Sequence, residues 1–360
     1  MLSFEKERDI LISCLREEKP QVQNMDFDRL FEICQWEGVS PLLYKKLNKN
    51  RELKTVFPQE FLDKLKKAYI WTKIQNKLFL DEIKRLSKNA PLLLIKGAAL
   101  LMVVYDDYAL RPMEDIDIIV REDNLEYVHK VLINDGYRLI KTEYSKWDRR
   151  LGSGRTYVKE LITIDLFTHL EALYIGANKS RQLFLNAVQI GDNLFILATE
   201  DLILHCLIHM ANHHFFYRLI WLYDVKEIIQ KLSVDWDRVL IKLKKVNFPF
   251  LITEGLREVK EIFSLDIPSD ILKARELKRN CYINWIKKYH GKIKIADNIS
   301  SFLSIPGIKN KLVLLFSALF PSYQYLRVRF QTSNTLFLFF LRIIRPFYVF
   351  YKFFKKIFGR

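Results

Sequence analysis

The spacing of hydrophobic and polar residues predicts helices at both ends of the chain. Residues 1–89 carry apolar residues at helical spacing and end in a long amphipathic stretch, FPQEFLDKLKKAYIWTKIQNKLFLDEIKRLSKN. Helical spacing returns after about residue 171, most clearly in TEDLILHCLIHMANHHFF and LIWLYDVKEIIQKL. We therefore predict an N-terminal helical region at 1–89 and a helical domain at 171–297.

The residues between these two regions, 90–170, follow mainly strand-like patterns. APLLLIKG is a short apolar run that ends in glycine, and DIDIIV alternates polar with apolar residues. YRLIKTEY and GRTYVKELITIDLF are further strand candidates, whereas AALLMVVYDDY and EDNLEYVHKVLINDGY have helical spacing. The fold class is therefore α+β, with the sheet in the 90–170 block.

The positive charge of the chain is concentrated at one end. The net charge is +16, no Asp or Glu follows Asp297, and residues 298–360 hold ten Lys or Arg. The four cysteines are scattered without a CxxC motif, which indicates buried thiols in a reducing compartment. The N-terminal residues are charged and lack the apolar core of a signal peptide, so we expect a cytoplasmic protein.

Two acidic residues, Asp115 and Asp117, occupy alternate positions in the strand pattern MEDIDIIV. Their carboxylates share one face of the strand, and they repel each other unless a cation lies between them. Asp165 repeats the pattern in ITIDLF, so three carboxylates converge if the two strands are neighbours. Such a cluster can hold Mg²⁺ or Mn²⁺ for in-line nucleotidyl transfer, with one aspartate as the base. The simpler alternative is a solvent-facing strand edge.

The segment LLLIKGAAL, upstream of the aspartates, is a candidate phosphate-binding turn. A strand that runs into a glycine and then a helix presents backbone N–H groups and the positive end of the helix dipole. Gly97 permits close backbone approach, Ala98 follows it, and Lys96 and Arg111 can supply charge to the same anion. Either basic residue could instead pair with a structural carboxylate.

The segment IKGAALLMVVYDDYALRPMEDIDIIV resembles the uncharacterised nucleotidyltransferase family of the DNA polymerase β-like superfamily. The shared features are a KG turn, a tyrosine, an arginine before paired aspartates, and a later strand with an aspartate. The resemblance covers about residues 90–230. It implies a polymerase β-like core, with a small mixed sheet and flanking helices, that uses an NTP and Mg²⁺. The site residues of the family correspond by this resemblance to Gly97, Asp115, Asp117 and Asp165.

Two positions depart from the pattern of these relatives. Ala98 stands where the wider superfamily has serine after the glycine, so a hydroxyl contact to phosphate is lost. Phe167 stands where the family has histidine after Asp-Leu, and His169 lies two places further on. A displaced histidine need not take the same role.

Three histidines, His205, His209 and His213, lie four residues apart and share one face of a predicted helix. A zinc site is one interpretation, although no HExxH motif supports it. Polar pairs inside the helical domain are a second, and a helix that faces the substrate through His205 and His209 is a third. We expect Asp224 to be an internal partner of these histidines or of an arginine.

Residues 298–360 form a basic, aromatic C-terminal tail that we predict to be helical. In TLFLFFLRIIRPFYVFYKFFKKIFGR the apolar runs are too short for a transmembrane span, because Arg342 and Arg345 interrupt them. Aromatic residues among cations favour an anionic membrane surface, which would place the protein peripherally at the inner membrane face. The alternatives are docking onto the protein's own core and, less favoured, nucleic-acid binding.

The main functional hypothesis is an Mg²⁺-dependent nucleotidyltransferase. It would move a nucleoside monophosphate from an NTP to a hydroxyl or phosphate of a small molecule, sugar, peptide or protein, and release pyrophosphate. A tRNA-directed or polymerase-like enzyme is one alternative, supported by the net charge. A membrane-associated binding module that has lost its chemistry is another, supported by Ala98 and Phe167.

Overall fold

The N-terminal region is helical, as predicted from its apolar spacing. Its helices are α1 (Glu5–Leu15), α2 (Phe27–Trp36), α3 (Ser40–Lys49), α4 (Arg51–Lys54) and α5 (Gln59–Ser87). The long helix α5 begins directly after Pro58, whose φ of −66° and missing N–H suit a helix start. Helix α5 packs on α2 and α3 and buries Phe61, Phe79 and Ile83.

The computed structural model describes residues 5–145, 154–170, 180–213, 218–246, 249–273 and 307–358. The sequence also predicts a basic loop, SKWDRRLGSGR, between the strand candidates YRLIKTEY and GRTYVKELITIDLF, and this loop lies largely outside these ranges. The segment PSDILKARELKRNCYINWIKKY has the spacing of a further helix, and most of it, with Cys281, also lies outside these ranges. Cys14 and Cys34 are buried, as expected, and burial raises the pKa of each thiol to about 12, whereas Cys206 is partly exposed.

A mixed β-sheet follows α5 in the chain. The strands of the described residues are β1 (Leu92–Leu94), β2 (Ile116–Ile119), β3 (Arg138–Lys141), β4 (Arg155–Lys159), β5 (Ile162–Phe167), β6 (Val188–Gly191) and β7 (Leu194–Ile196). Their order across the sheet is β3-β4-β5-β2-β1-β7-β6. The pairs β2–β5 and β1–β7 are parallel and the other pairs are antiparallel, so the prediction of an α+β fold with a mixed sheet is confirmed.

The β6–β7 hairpin corrects the expectation of helices alone after residue 170. Its strands have four and three residues, and its turn contains Asn193 in the left-handed conformation, with a φ of 54°. Strand β7 pairs with β1, so the sheet continues past the 90–170 block. Strands this short show too few alternations to stand out from the helical patterns around them.

Short helices flank the sheet: α6 (Lys96–Val103), α7 (Leu125–Asn134) and α8 (Ser180–Leu185). Helix α6 starts two residues after β1 and packs on β2. Helix α7 buries Val128 and Leu132, and Gly136 follows its end with a φ of 87°, as the glycine in the sequence predicted. These connections place the start of α6 beside the acidic strand β2.

A second group of helices follows the sheet: α9 (Thr199–His213), α10 (Leu219–Lys231), α11 (Trp236–Leu243), α12 (Pro249–Phe263) and α13 (Ser269–Lys273). Helix α9 packs on α10, α11 and α12 and also contacts α6. Arg16, which directly follows α1, donates to the backbone oxygen of Glu261 at 2.8 Å, and this bond joins the N-terminal helices to α12. The sheet therefore carries helical layers that belong to both ends of the chain.

The C-terminal tail forms α14 (Ile308–Leu319), α15 (Tyr323–Phe330) and α16 (Thr335–Phe358). It docks on the chain after β3, where the Ser322 N–H donates to the Tyr144 oxygen at 2.7 Å and the Ser145 and Ser317 hydroxyls lie 2.7 Å apart. Within the described residues, no single helix has the length and hydropathy of a membrane span. Together, α15 and the part of α16 up to Tyr351 meet that test, but they are bent by 102°.

Candidate active site

The two acidic strands are neighbours in the sheet. Strands β2 and β5 run parallel, and their register places Asp117 directly opposite Asp165. Asp115 precedes the first residue of β2, two positions before Asp117. In a strand, residues two apart point to the same face, so this register brings the three side chains together.

The three carboxylates form one cluster. Each of Asp115, Asp117 and Asp165 offers an oxygen, and these oxygens all lie within 4.8 Å of one another. Asp117 is buried, with 4% of its surface exposed, and the other two are partly exposed. Asp117 thus lies at the buried end of the cluster on the sheet, and the other two side chains are accessible from solvent, as a substrate site requires.

Burial and mutual repulsion both disfavour the charged forms of these acids. Burial, followed by the charges of Asp117 and Asp165, raises the pKa of Asp115 to about 7. Burial also raises the pKa of Asp165, against the opposing effect of a hydrogen bond from Thr156. The cluster therefore stores electrostatic repulsion that a bound cation would relieve.

The residues present fit a divalent metal ion. Oδ1 of Asp165 is buried and makes no hydrogen bond to any described residue, which is costly for a carboxylate oxygen. Three carboxylates whose oxygens lie within 4.8 Å of one another are a hard-oxygen donor set, which suits Mg²⁺ or Mn²⁺. Among the described residues, this is the one group of three or more Asp, Glu, His or Cys side chains that could hold a metal.

Lys96 pairs with the cluster. Its Nζ lies 2.8 Å from Oδ1 of Asp117, and it also lies 5.7 Å from the centre of the Phe167 ring. Lys96 is the first residue of α6 and has a left-handed φ of 51°, an uncommon conformation for a residue other than glycine. Lys96 therefore pairs with a carboxylate of the acidic cluster itself and not with a separate structural carboxylate.

Gly97 is buried under Arg111 and Met113. A Cβ at this position would lie 2.4 Å from Nη1 of Arg111 and 2.9 Å from the Met113 side chain. The structure thus gives a packing reason for the glycine. The next residue, Ala98, is also buried. The phosphate-facing role of the turn remains a prediction.

Arg111 is held by a buried carboxylate on α10. Its Nη2 lies 3.1 Å from Oδ2 of Asp224, and the Tyr105 hydroxyl donates to Oδ1 of the same residue at 2.7 Å. Asn76 of α5 donates to the Arg111 backbone oxygen at 2.8 Å. Asp224 is an internal partner of an arginine, as expected. The resemblance includes a tyrosine in this segment, but neither Tyr105 nor Asn76 was assigned to this network from the sequence, because both partners are distant in the chain.

The histidine face of α9 lies mostly inside the helical region. His205 is fully buried, and His209 is half-buried with its ring 5.9 Å from that of Trp221 in an edge contact. No group of metal-binding side chains that includes either histidine is found in the described part of the chain. The His213 side chain lies outside the described residues. The geometry favours the interpretation of structural packing for His205.

The displaced histidine, His169, lies two residues after the end of β5 and does not contact the acidic cluster in the interactions that its ring makes with Thr168 and Glu122. His169 is buried, with its Nδ1 2.9 Å from the Thr168 hydroxyl and its Nε2 3.2 Å from Glu122. Phe167, which takes the place of the family's histidine, lies under the Lys96 ammonium. The aromatic ring therefore supports the lysine that pairs with Asp117.

Comparison with known families agrees with this geometry. A family model described as an uncharacterised nucleotidyltransferase matches residues 23–264, about two thirds of the chain. The matched range includes the acidic cluster, the KG turn and the Arg111–Asp224 pair. Comparison with curated proteins finds no match.

Proposed function

Because the chain belongs to the uncharacterised nucleotidyltransferase family, it is an enzyme that transfers phosphorus-containing groups, and we propose a specific reaction. The enzyme transfers a nucleoside monophosphate from an NTP to a hydroxyl or phosphate of a small molecule, sugar, peptide or protein, and releases pyrophosphate. The observation that carries this proposal is the cluster of Asp115, Asp117 and Asp165.

In this proposal the three aspartates hold Mg²⁺ or Mn²⁺. When bound, the metal neutralises the charge of the triphosphate and favours the deprotonated form of the attacking acceptor group. The support comes from the unsatisfied Oδ1 of Asp165 and from the repulsion that burial and proximity impose on Asp115. The parallel register of β2 and β5 keeps the carboxylates in place on rigid backbone, which limits the reorganisation needed for catalysis.

The proposed triphosphate site lies between the aspartates and the start of α6. The N-cap residue of α6 is Ile95, whose side chain cannot accept hydrogen bonds from the first N–H groups of the helix. Lys96 is partly exposed and lies beside Asp117, so a small rotation of its side chain brings the ammonium to a phosphate oxygen. Arg111 is a positioning residue in this scheme, because Asp224 already holds its guanidinium against Gly97.

The topology supports a polymerase β-like assignment for the core, as a finer part of the proposal. Two acidic strands lie side by side at the centre of a mixed sheet, and a strand-turn-helix unit adjoins them. This arrangement agrees with the resemblance in the KG turn and the paired aspartates.

Nucleotide binding by the full chain tests the proposal before the acceptor is known. Calorimetric titrations with ATP, GTP, CTP and UTP are made in excess MgCl₂ and again in EDTA. We expect at least one nucleotide to bind in Mg²⁺ and to bind much more weakly in EDTA. Asp115→Ala should remove the Mg²⁺ dependence and abolish turnover while it leaves the circular dichroism spectrum unchanged.

A control variant tests whether loss of an acidic residue outside the cluster also affects nucleotide binding. Asp192→Asn changes an exposed acid in the β6–β7 turn, and it should bind nucleotide as the native chain does. Absence of Mg²⁺-dependent binding of all four nucleotides by the native chain would refute the proposal. Normal binding and turnover by Asp115→Ala would refute the role of the cluster.

A further inference from the structure

The C-terminal helix α16 presents an apolar face to its surroundings. Between residues 336 and 351, nearly all of its outward positions carry large aliphatic or aromatic side chains that are about half exposed or more. Examples are Phe337 (48%), Phe340 (58%), Ile343 (49%), Ile344 (55%), Phe347 (72%) and Phe350 (53%). A surface helix of a water-soluble protein has the opposite arrangement, with its apolar stripe facing the core.

The two arginines of this stretch lie on the inner side of α16. Nε of Arg345 donates to the Ala318 oxygen at 2.8 Å, and its guanidinium lies 4.9 Å from the Tyr325 ring centre. The guanidinium of Arg342 lies 5.3 Å from the Tyr323 ring centre. Both arginines thus contact α14 or α15. Helix α16 therefore has charged residues on its packed side and apolar residues on its exposed side, the reverse of a helix at an aqueous surface.

The apolar surface continues from α16 onto α14. Ile308, Leu312 and Phe316 are 78%, 58% and 65% exposed, and α14 packs on α16. Contiguous exposed apolar patches of this kind mark binding surfaces in folded proteins. We name the exposed apolar side chains of α14 and α16 the tail face.

The charge of the tail distinguishes two candidate partners of the tail face, a second copy of the chain and an anionic lipid bilayer. No Asp or Glu is present in residues 298–360, which hold ten Lys or Arg. A second copy of the chain would bring two such tails together with no acid in either to offset the repulsion. An anionic lipid bilayer offers both an apolar interior for the aromatic residues and negative headgroups for the cations.

We propose that the tail face inserts into the interface of an anionic lipid bilayer. Helices α15 and α16 are bent by 102° to each other, so they do not form one continuous membrane span. Helix α16 has 24 residues and is therefore about 36 Å long, which provides an extended contact line. The hydrogen bonds of Ser322 to Tyr144 and of Ser145 to Ser317 hold the tail on the catalytic core. The enzyme is thereby held at the membrane, whatever its acceptor.

Vesicle flotation with the full chain tests this proposal. The vesicles contain equal parts of phosphatidylglycerol and phosphatidylcholine, or phosphatidylcholine alone. We expect the native chain to float with the anionic vesicles, to float much less with the neutral ones, and to be partly released by high salt. The combined substitution Phe340→Ser, Ile344→Ser and Phe347→Ser should weaken binding about tenfold or more, because it removes inserted apolar surface.

A second variant separates the tail face from exposed apolar residues in general. Ile70→Ser, Trp71→Ser and Ile74→Ser change three residues of α5 that are 46%, 55% and 53% exposed, and this variant should bind as the native chain does. Equal flotation by the tail-face variant and the native chain would overturn the proposal. So would failure of the native chain to bind anionic vesicles, or a dimer in light scattering that the tail-face substitutions dissociate. Circular dichroism spectra and melting curves of both variants report that the chain is folded, independently of the proposed reaction.

Discussion

Asp117 and Asp165 lie opposite each other in the parallel pair β2–β5, although they are far apart in the chain. Their strands therefore place two carboxylates at a separation that backbone hydrogen bonds determine, and Asp115 adds a third from the same strand pattern. A site of this kind depends on strand register. A slip by one residue would turn an aspartate to the opposite face of the sheet.

Asp117→Asn should reduce Mg²⁺-dependent pyrophosphate release by about a hundredfold or more. The amide is a poor metal ligand, and a bound metal is worth several kcal/mol in a phosphoryl-transfer transition state. The measurement is pyrophosphate release in the presence of the acceptor, with circular dichroism to verify the fold. A variant with native turnover would show that Asp117 serves the structure through its pair with Lys96.

Asp165→Asn should stabilise the metal-free protein and remove its stabilisation by metal. The substitution abolishes one of the buried, mutually repelling charges, so the melting temperature in EDTA should rise. Native protein should instead gain melting temperature when MgCl₂ or MnCl₂ is added, because the ion binds the folded state. A metal-induced shift of native size in the variant would contradict this assignment.

Gly97→Ala should destabilise the fold by about 1–3 kcal/mol, since the new methyl group would overlap Arg111 and Met113. Urea unfolding followed by circular dichroism measures the change. The matched control is Gly191→Ala, whose Cβ would meet Leu194 at ordinary contact distances of 3.6 and 3.7 Å. Equal stability losses in the two variants would show that the space at Gly97 is not restricted.

Asp224→Ala should cost about 3–5 kcal/mol of stability, because it leaves the Arg111 guanidinium buried without its carboxylate. Thermal and urea unfolding provide the measurement. Asp201→Ala serves as a comparison, since Asp201 pairs with a partly exposed Lys242 at 2.6 Å and should contribute at most about 1 kcal/mol. If Asp224→Ala lowers the free energy of unfolding no more than Asp201→Ala does, the network of Asp224, Arg111 and Tyr105 is not a major support of the fold.

Glu143→Gln should weaken the acid sensitivity of the protein. Burial alone would raise the pKa of Glu143, but hydrogen bonds from Thr142 and the neighbouring Arg155 hold the pKa at about 2. Because this pKa lies below the value of about 4.3 in an unfolded chain, the pair stabilises the fold at higher pH. That contribution, about 3 kcal/mol, is lost as the pH falls from about 5 to 2.

The measurement for Glu143 is the free energy of unfolding in urea at a series of pH values. The variant should be less stable than the native chain near neutral pH and should lose less stability on acidification. A native-like slope between about pH 5 and 2 would contradict the lowered pKa of Glu143.

Strand alternation in the sequence was sufficient to predict that Asp115 and Asp117 share a face. It could not predict that β5 lies next to β2, because strand order depends on how the whole sheet assembles. That adjacency was expected only from the family resemblance, and the register of Asp117 with Asp165 comes from the structure.

Other features were beyond any local pattern. Arg111 and Asp224 are 113 residues apart, and only the packing of α10 near the start of α6 brings them into contact. The packing reason for Gly97 follows from that same contact. The β6–β7 hairpin had a local signal in its Asp192–Asn193 turn, but its strands are too short for alternation to outweigh the helical patterns on either side.

The place of β1 in the sheet has a consequence for how the chain folds during synthesis. One edge of β1 pairs with β2, but its other edge pairs with β7, which ends at Ile196. A nascent chain that has emerged only to about residue 170 would leave a buried, wholly aliphatic strand with an open edge, a template for aggregation. The sheet that carries the acidic cluster is therefore complete only after the hairpin has left the ribosome, although the aspartates precede it.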